Sequence, residues 1–249
     1  MRVTYLYHSG VLAELENVNL LFDYYRGDLP PLPEEKPLLV FVSHKHEDHF
    51  RGDLLQLGLR YPGARFIISR EVERPIRYQT GYDSLKEKIF PVVKREKYDF
   101  ECGTEKIIVE TLRSTDLGVA FLVSAEEMSV YHAGDLNWWL SADMDKPHRD
   151  NIRKYYTEEL ERLRGRRIDL ACLPTDGRMG EQAGLGAAYF IRELAPRAVL
   201  PIHFWDDFSV PAAFAEKVRT DGFSTKILLP ERAGQVFTAE KGDGIWDWK

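Results

Sequence analysis

The stretch PLLVFVSHKHEDH, residues 37–49, decides how the chain is read. An unbroken apolar run, Leu38 to Val42, has the length and β-branched content of a strand buried on both faces. It runs straight into His44, His46, Asp48 and His49. Histidine is scarce, with seven in 249 residues, and three of them stand here. In an extended chain His44 and His46 point the same way. Imidazoles and carboxylates are the groups that borderline divalent metals prefer. The spacing lets His44 and His46 clasp one ion while Asp48 and His49 reach a second. A loop at a strand end is also where catalytic groups tend to sit.

Upstream, RVTYLYHS, GVLAELEN and VNLLFDYY are short β-branched and aromatic runs broken by Gly and Asn, the pattern of a β-meander. Downstream, residues 50–60 have helical apolar spacing, ARFIIS reads as a strand, and REVERPIRY as a short helix interrupted at Pro75. Strands return from about Lys88 to Tyr131. The later chain alternates. A helix capped near Asp150 or Asn151 ends at Gly165, DLACLPT is a strand, and GLGAAYFIRELAP is a helix stopped at Pro196. AVLPIHF is a strand ending in a histidine, VPAAFAEKVRTDG is a helix, and KILLP and GQVFTA are closing strands. Two β-sheets packed face to face with helices outside satisfy this order, in a single domain over residues 1–249.

Composition is that of a globular protein, 44% hydrophobic and 30% charged. A net charge of −6 with no basic run argues against nucleic acid and for a small-molecule substrate. No apolar run approaches the ~18 residues that span a bilayer, so no membrane role is expected. The start, MRVTYLYHSG, has no apolar leader core, which reads as cytoplasmic. Cys102 and Cys172 read as buried free thiols. Homo-oligomerisation is left open.

The H-x-H-x-D-H motif at a core strand end resembles the metallo-β-lactamase superfamily, and the resemblance spans almost the whole chain. Asp135 in VYHAGDLN and His203 in VLPIHFW match two further metal ligands of that family. The openings YHSG, YHAGD and LPTDGRMG look like the branch of ascorbate-phosphate lactonase-like hydrolases. The resemblance implies an α/β fold, a four-layer αββα sandwich of two mixed sheets with outer helices. It implies a hydrolase carrying one or two divalent ions, zinc first and manganese or iron as alternatives. In the family the Asp equivalent to Asp135 bridges the metals and the His equivalent to His203 completes the second site. Asp48 or Asp135 would accept the proton of the attacking water and pass it to the leaving group.

The pattern breaks at one place. The family supplies another histidine to the first site, expected within VETLRSTDLGVAFLV, where none exists. Asp116 is one replacement, a water held by Ser114 or Thr115 is another, and a weak or empty first site is the third. The third underlies the alternative of a non-catalytic metal-binding or sensor protein. His8, Asp23 and His132 are candidates for contacts behind the ligands or with substrate. Trp138, Trp139 and Trp205 are either packing residues or pocket walls. His148 reads as a solvated loop residue, and Arg178 as a salt-bridge partner or a contact to an anionic substrate.

Overall fold

The computed structural model describes residues 1–140, 144–242 and 245–249. Its first six strands are β1 (Arg2–Tyr7), β2 (Gly10–Glu14), β3 (Asn19–Phe22), β4 (Leu38–Val42), β5 (Ala64–Ser69) and β6 (Ile89–Val92). Then come β7 (Lys97–Cys102), β8 (Glu105–Arg113), β9 (Val119–Ala125), β10 (Met128–His132), β11 (Leu170–Pro174), β12 (Ala198–Ile202) and β13 (Lys226–Ile227). The closing hairpin is β14 (Gln235–Gly242) and β15 (Ile245–Trp248). The α-helices are α1 (Gln56–Arg60), α2 (Glu73–Ile76), α3 (Tyr82–Leu85), α4 (Lys146–Glu161), α5 (Leu185–Leu194) and α6 (Ser209–Thr220).

The strands form an eight-stranded sheet, β15-β14-β1-β2-β3-β4-β5-β6, and a seven-stranded sheet, β13-β12-β11-β10-β9-β8-β7. Each sheet turns from antiparallel to parallel partway across, at β3–β4 in the first and β10–β11 in the second. The two sheets share one core, and each packs helices on its other face. Alternation along β4 shows why. Leu39 and Phe41 enter the core between the sheets, while Leu38, Val40 and Val42 pack outward beneath the short helices. Burying each such side chain is worth roughly 1.5–3 kcal/mol. In the second sheet Leu170, Cys172 and Leu200 face inward, and Ala171, Leu173 and Val199 face α4 to α6. The architecture is the four-layer αββα sandwich, and both cysteines are buried free thiols.

Local bounds differ from expectation in several places. α2 runs through Pro75, in its first turn, rather than breaking there, and α4 ends at Glu161, short of Gly165. The helix expected over residues 50–60 is regular only in α1. The helix placed near Asp150 starts at Lys146, because the Asp145 side chain accepts the His148 N–H and Pro147 sits in the first turn. His148 therefore belongs to a helix, not a loop. Strand β15 was not foreseen, although Trp246 and Trp248 alternate as one sheet face requires.

Candidate active site

Every candidate residue lies at one rim of the sandwich. His8 follows β1, Asp23 follows β3, and Ser43 to His49 follow β4. Asp116 lies in the β8–β9 turn, Asp135 follows β10, and His203 follows β12. These loops are seated tightly on Ser43. Gly118 (φ +69°) and Gly134 (φ +50°) are left-handed, and a Cβ at either would collide with it, 2.0 Å from its carbonyl oxygen for Gly118 and 2.6 Å from its Cβ for Gly134. The Val119 N–H donates to the Ser43 carbonyl at 3.0 Å. Thr115 and Asn137 tie the Asp116 and Asp135 loops together, since the Thr115 hydroxyl donates to Asn137 O (2.6 Å) and accepts its N–H (3.0 Å).

The side chains converge in two groups, each with ligand-type atoms within 4.8 Å of one another. One is His44, His46, Asp116 and Asp135; the other is His8, Asp48, His49 and His203. Asp135 lies between them. Its Oδ2 is 3.4 Å from His44 Nε2, and its Oδ1 is 3.2 Å from His49 Nε2 and 3.3 Å from His203 Nε2. His44 Nε2 and His46 Nδ1 are 3.0 Å apart, and His46 Nδ1 is 3.7 Å from Asp116 Oδ2. His46 and Asp116 are the solvent-facing members, with side chains 44% and 42% exposed. Asp116 stands in the group that lacks the family histidine.

A hydrogen-bonded layer behind these groups sets ring orientation. The Asp23 carboxylate accepts the Ser43 N–H (2.7 Å), the Ser43 hydroxyl (2.7 Å) and His49 Nδ1–H (2.8 Å). Ser43 Oγ in turn accepts His44 Nδ1–H at 3.0 Å. Asp176 does the same for His203, accepting its Nδ1–H at 3.0 Å. These assignments leave the Nε2 lone pairs of His44, His49 and His203 directed at the centre. His8 is wired the other way. Its Nδ1 accepts the Trp205 N–H (3.4 Å), so the ring proton sits on Nε2, 3.3 Å from Asp48 Oδ2. His132 donates Nε2–H to Ser9 O (2.9 Å), accepts the Gly134 N–H, and lies 3.7 Å from Asp23.

Charge and strain concentrate here. Burial lowers the His8 and His44 imidazoles to about 4, so both are neutral at ordinary pH. Burial also works against a charged His49, but Asp135 and Asp23 on either side raise it well above its usual value. Burial would raise Asp135, yet His49 and His203 hold it well below the carboxylate range. Two buried carboxylates, Asp23 and Asp135, therefore call for positive charge between them. His49 Nε2 and Asp135 Oδ1, which face each other, and His8 Nε2 are buried with no hydrogen-bond partner among the described residues. An imidazole and carboxylate set with such orphaned atoms fits a divalent ion of the zinc, manganese or iron type. His8, Asp23, His203 and Trp205 all have positive φ, +42° to +64°, a cost of roughly 1–3 kcal/mol each. The His203 N–H donates to the His8 carbonyl at 2.9 Å and joins the two strained positions.

A cavity of about 390 Å³ opens over this floor. His46, Asp48, Asp116, Asp135 and His203 reach it, with Trp139, Met144, Ile152, His148 and Arg178 completing the walls. Trp139 donates its indole N–H to the Asp135 carbonyl (2.8 Å), whereas Trp138 packs on Tyr189 and Tyr156 away from the site. Asp176 and Ser43 carry no ligand motif that marks them in the sequence. A signal existed for Asp176, since it follows a buried strand just as Asp23 does.

The sequence profile of the beta-lactamase superfamily domain matches residues 2–203. The chain belongs to the beta-lactamase superfamily. Within that superfamily it is 30% identical over 254 residues to a UPF0173 metal-dependent hydrolase from Opitutus terrae, covering 95% of this chain and all of that protein. The structure of Igni18, a metallo hydrolase from Ignicoccus hospitalis, superposes with a TM-score of 0.64 at 20% identity, covering 94% and 96% of the two chains. CmlA from Streptomyces venezuelae, a diiron β-hydroxylase, shares the fold with a TM-score of 0.59 at 15% identity, covering 94% of this chain and 53% of its own. The superfamily fold thus carries more than one chemistry, and the site must decide among them.

Proposed function

We propose that this metal-dependent hydrolase acts on a small-molecule ester, lactone or phosphodiester with two divalent ions, zinc first and manganese or iron as alternatives. The placing of Asp135, one oxygen toward each group of ligands, carries the reading. His44, His46, Asp116 and Asp135 would hold one ion; Asp48, His49, His203 and Asp135 would hold the other. Ions held there would supply a water acidic enough to attack near neutral pH and would polarise the substrate oxygen.

The chain's own groups do the rest. Asp23 and Asp176 keep the imidazoles in the ligating tautomer. Burial works to raise the Asp48 carboxyl, but His8, His49 and His203 hold it well below the usual range, so it is ionised, and its reach into the cavity is what makes it the candidate proton acceptor. Its side chain is 22% exposed and lines the cavity, within reach of water and leaving group. Asp135, almost fully buried, would serve to hold ions more than to exchange protons. His8, with Nδ1 taken by the Trp205 N–H, holds Nε2 3.3 Å from Asp48 Oδ2 and would orient that carboxylate. Three carboxylates against two dications would leave a loaded centre positive by one charge before an attacking hydroxide is counted.

The missing family histidine is what favours a non-catalytic metal-binding role, and against it Asp116 lies within reach of the first group's other atoms. The test is metal analysis of protein purified without chelators, with turnover of ester, lactone and phosphodiester substrates in Zn²⁺, Mn²⁺ or Fe²⁺. Asp135→Ala is expected to lose bound metal and at least about 100-fold in turnover. Full metal content and full turnover in that variant would refute the assignment. Silence across the substrates, with metal present, would favour the non-catalytic role.

A further inference from the structure

We infer that the substrate carries an anionic group besides the bond that is cut, and that Arg178 receives it; the inference rests on the hydrolase reading above. Arg178 lines the same cavity as Asp48, Asp135 and His203. Its guanidinium is fixed on one edge and one face. Nε and Nη2 donate to the buried Asp176 carboxylate, and the group lies 5.8 Å from the centre of the Trp205 ring. Nη1 has no partner among the described residues, and the side chain is 64% exposed.

Pairing with Asp176 does not use up this arginine. Asp176 also accepts His203 Nδ1–H and the backbone N–H of Arg178, so the buried carboxylate has other donors. The two pinned sides spare a bound anion most of the cost of ordering a long side chain. The open edge can then give a charge-assisted hydrogen bond, and a carboxylate or phosphate group is its natural acceptor. Around it the cavity is partly apolar, with Trp139, Met144 and Ile152. At about 390 Å³ it suits a small molecule whose reacting carbonyl or phosphorus sits over the carboxylate floor and whose short apolar stem ends in the anion. Asp176 makes the device specific. One carboxylate orients both a candidate ion ligand, His203 after β12, and the substrate anchor, Arg178 after β11, so it fixes the two relative to each other.

The test uses matched probes on metal-loaded protein, with metal content verified in every sample. Mono-4-nitrophenyl adipate and 4-nitrophenyl hexanoate share leaving group and chain length and differ in a terminal carboxylate. The wild type is expected to favour the adipate ester in kcat/KM by about tenfold or more. In Arg178→Gln the preference should vanish, chiefly through KM, and Arg178→Lys, a point charge without the fork, should retain part of it. Binding of free adipate against hexanoate, followed by tryptophan fluorescence, reads the same preference without turnover. Each acid offers one carboxylate to the ions, so only the second reports on Arg178. Equal binding of the two acids by the wild type, or an unchanged preference in Arg178→Gln, would overturn the inference. Adipate preference without hydrolysis of either ester would uphold the anion site while counting against ester cleavage. Hydrolysis without preference would do the reverse.

Discussion

Asp23 carries more of the site than its distance from the reacting atoms suggests. Its two oxygens take three donors, and through Ser43 it sets His44 as well as His49. An amide at that position keeps the shape but offers one acceptor oxygen and an unwanted donor. Asp23→Asn is therefore expected to weaken metal binding by about 10–100-fold, measured by competition with a chromogenic chelator. His8 makes a sharper test of the wiring. Asn tolerates a left-handed backbone such as φ +55° and retains a side-chain donor. His8→Asn should keep its metal while turnover falls by about tenfold or more, as a freed Asp48 would require. Loss of metal in this variant would make His8 a ligand instead. This distinction was hidden in the sequence, because the tautomer of His8 is fixed by the backbone N–H of Trp205, near the far end of the chain.

Elements place these residues through close approach more than through regular structure. The Asp135 loop fits only because Gly134 offers no side chain to Ser43. Gly134→Ala adds both a collision and an unfavourable φ, and is expected to destabilise by roughly 2–4 kcal/mol, read as a lower denaturant midpoint. The strands were legible where both faces are buried, as in LLVFV, because an unbroken apolar run admits few other readings. The start of α4 was not, because polar residues at 145–151 offer several plausible caps and only the Asp145 contact to His148 selects one. The H-x-H-x-D-H cluster was legible because four chemically marked residues are contiguous. Asp135 and His203 stood out only by resemblance, and Asp176 stayed hidden because a lone strand-end Asp is common.

At the scale of the molecule, two sheets meet at a rim where charge and strain outweigh local comfort. Four non-glycine residues hold positive φ there, and carboxylates are buried beside imidazoles. Ions that bind only the folded rim should offset part of that cost. A free ion concentration 100 times the dissociation constant is worth about 2.7 kcal/mol. Chelation is accordingly expected to lower Tm by roughly 5–10 °C, and returning the metal should restore it. The hydrogen bond from His203 to the His8 carbonyl has one more outcome. It knots an early segment to a late one, so a chain emerging from the ribosome cannot assemble the second cage until β12 and His203 have been made. Capture of the ion would then wait for that late segment, and a product truncated before His203 would stay metal-poor and inert.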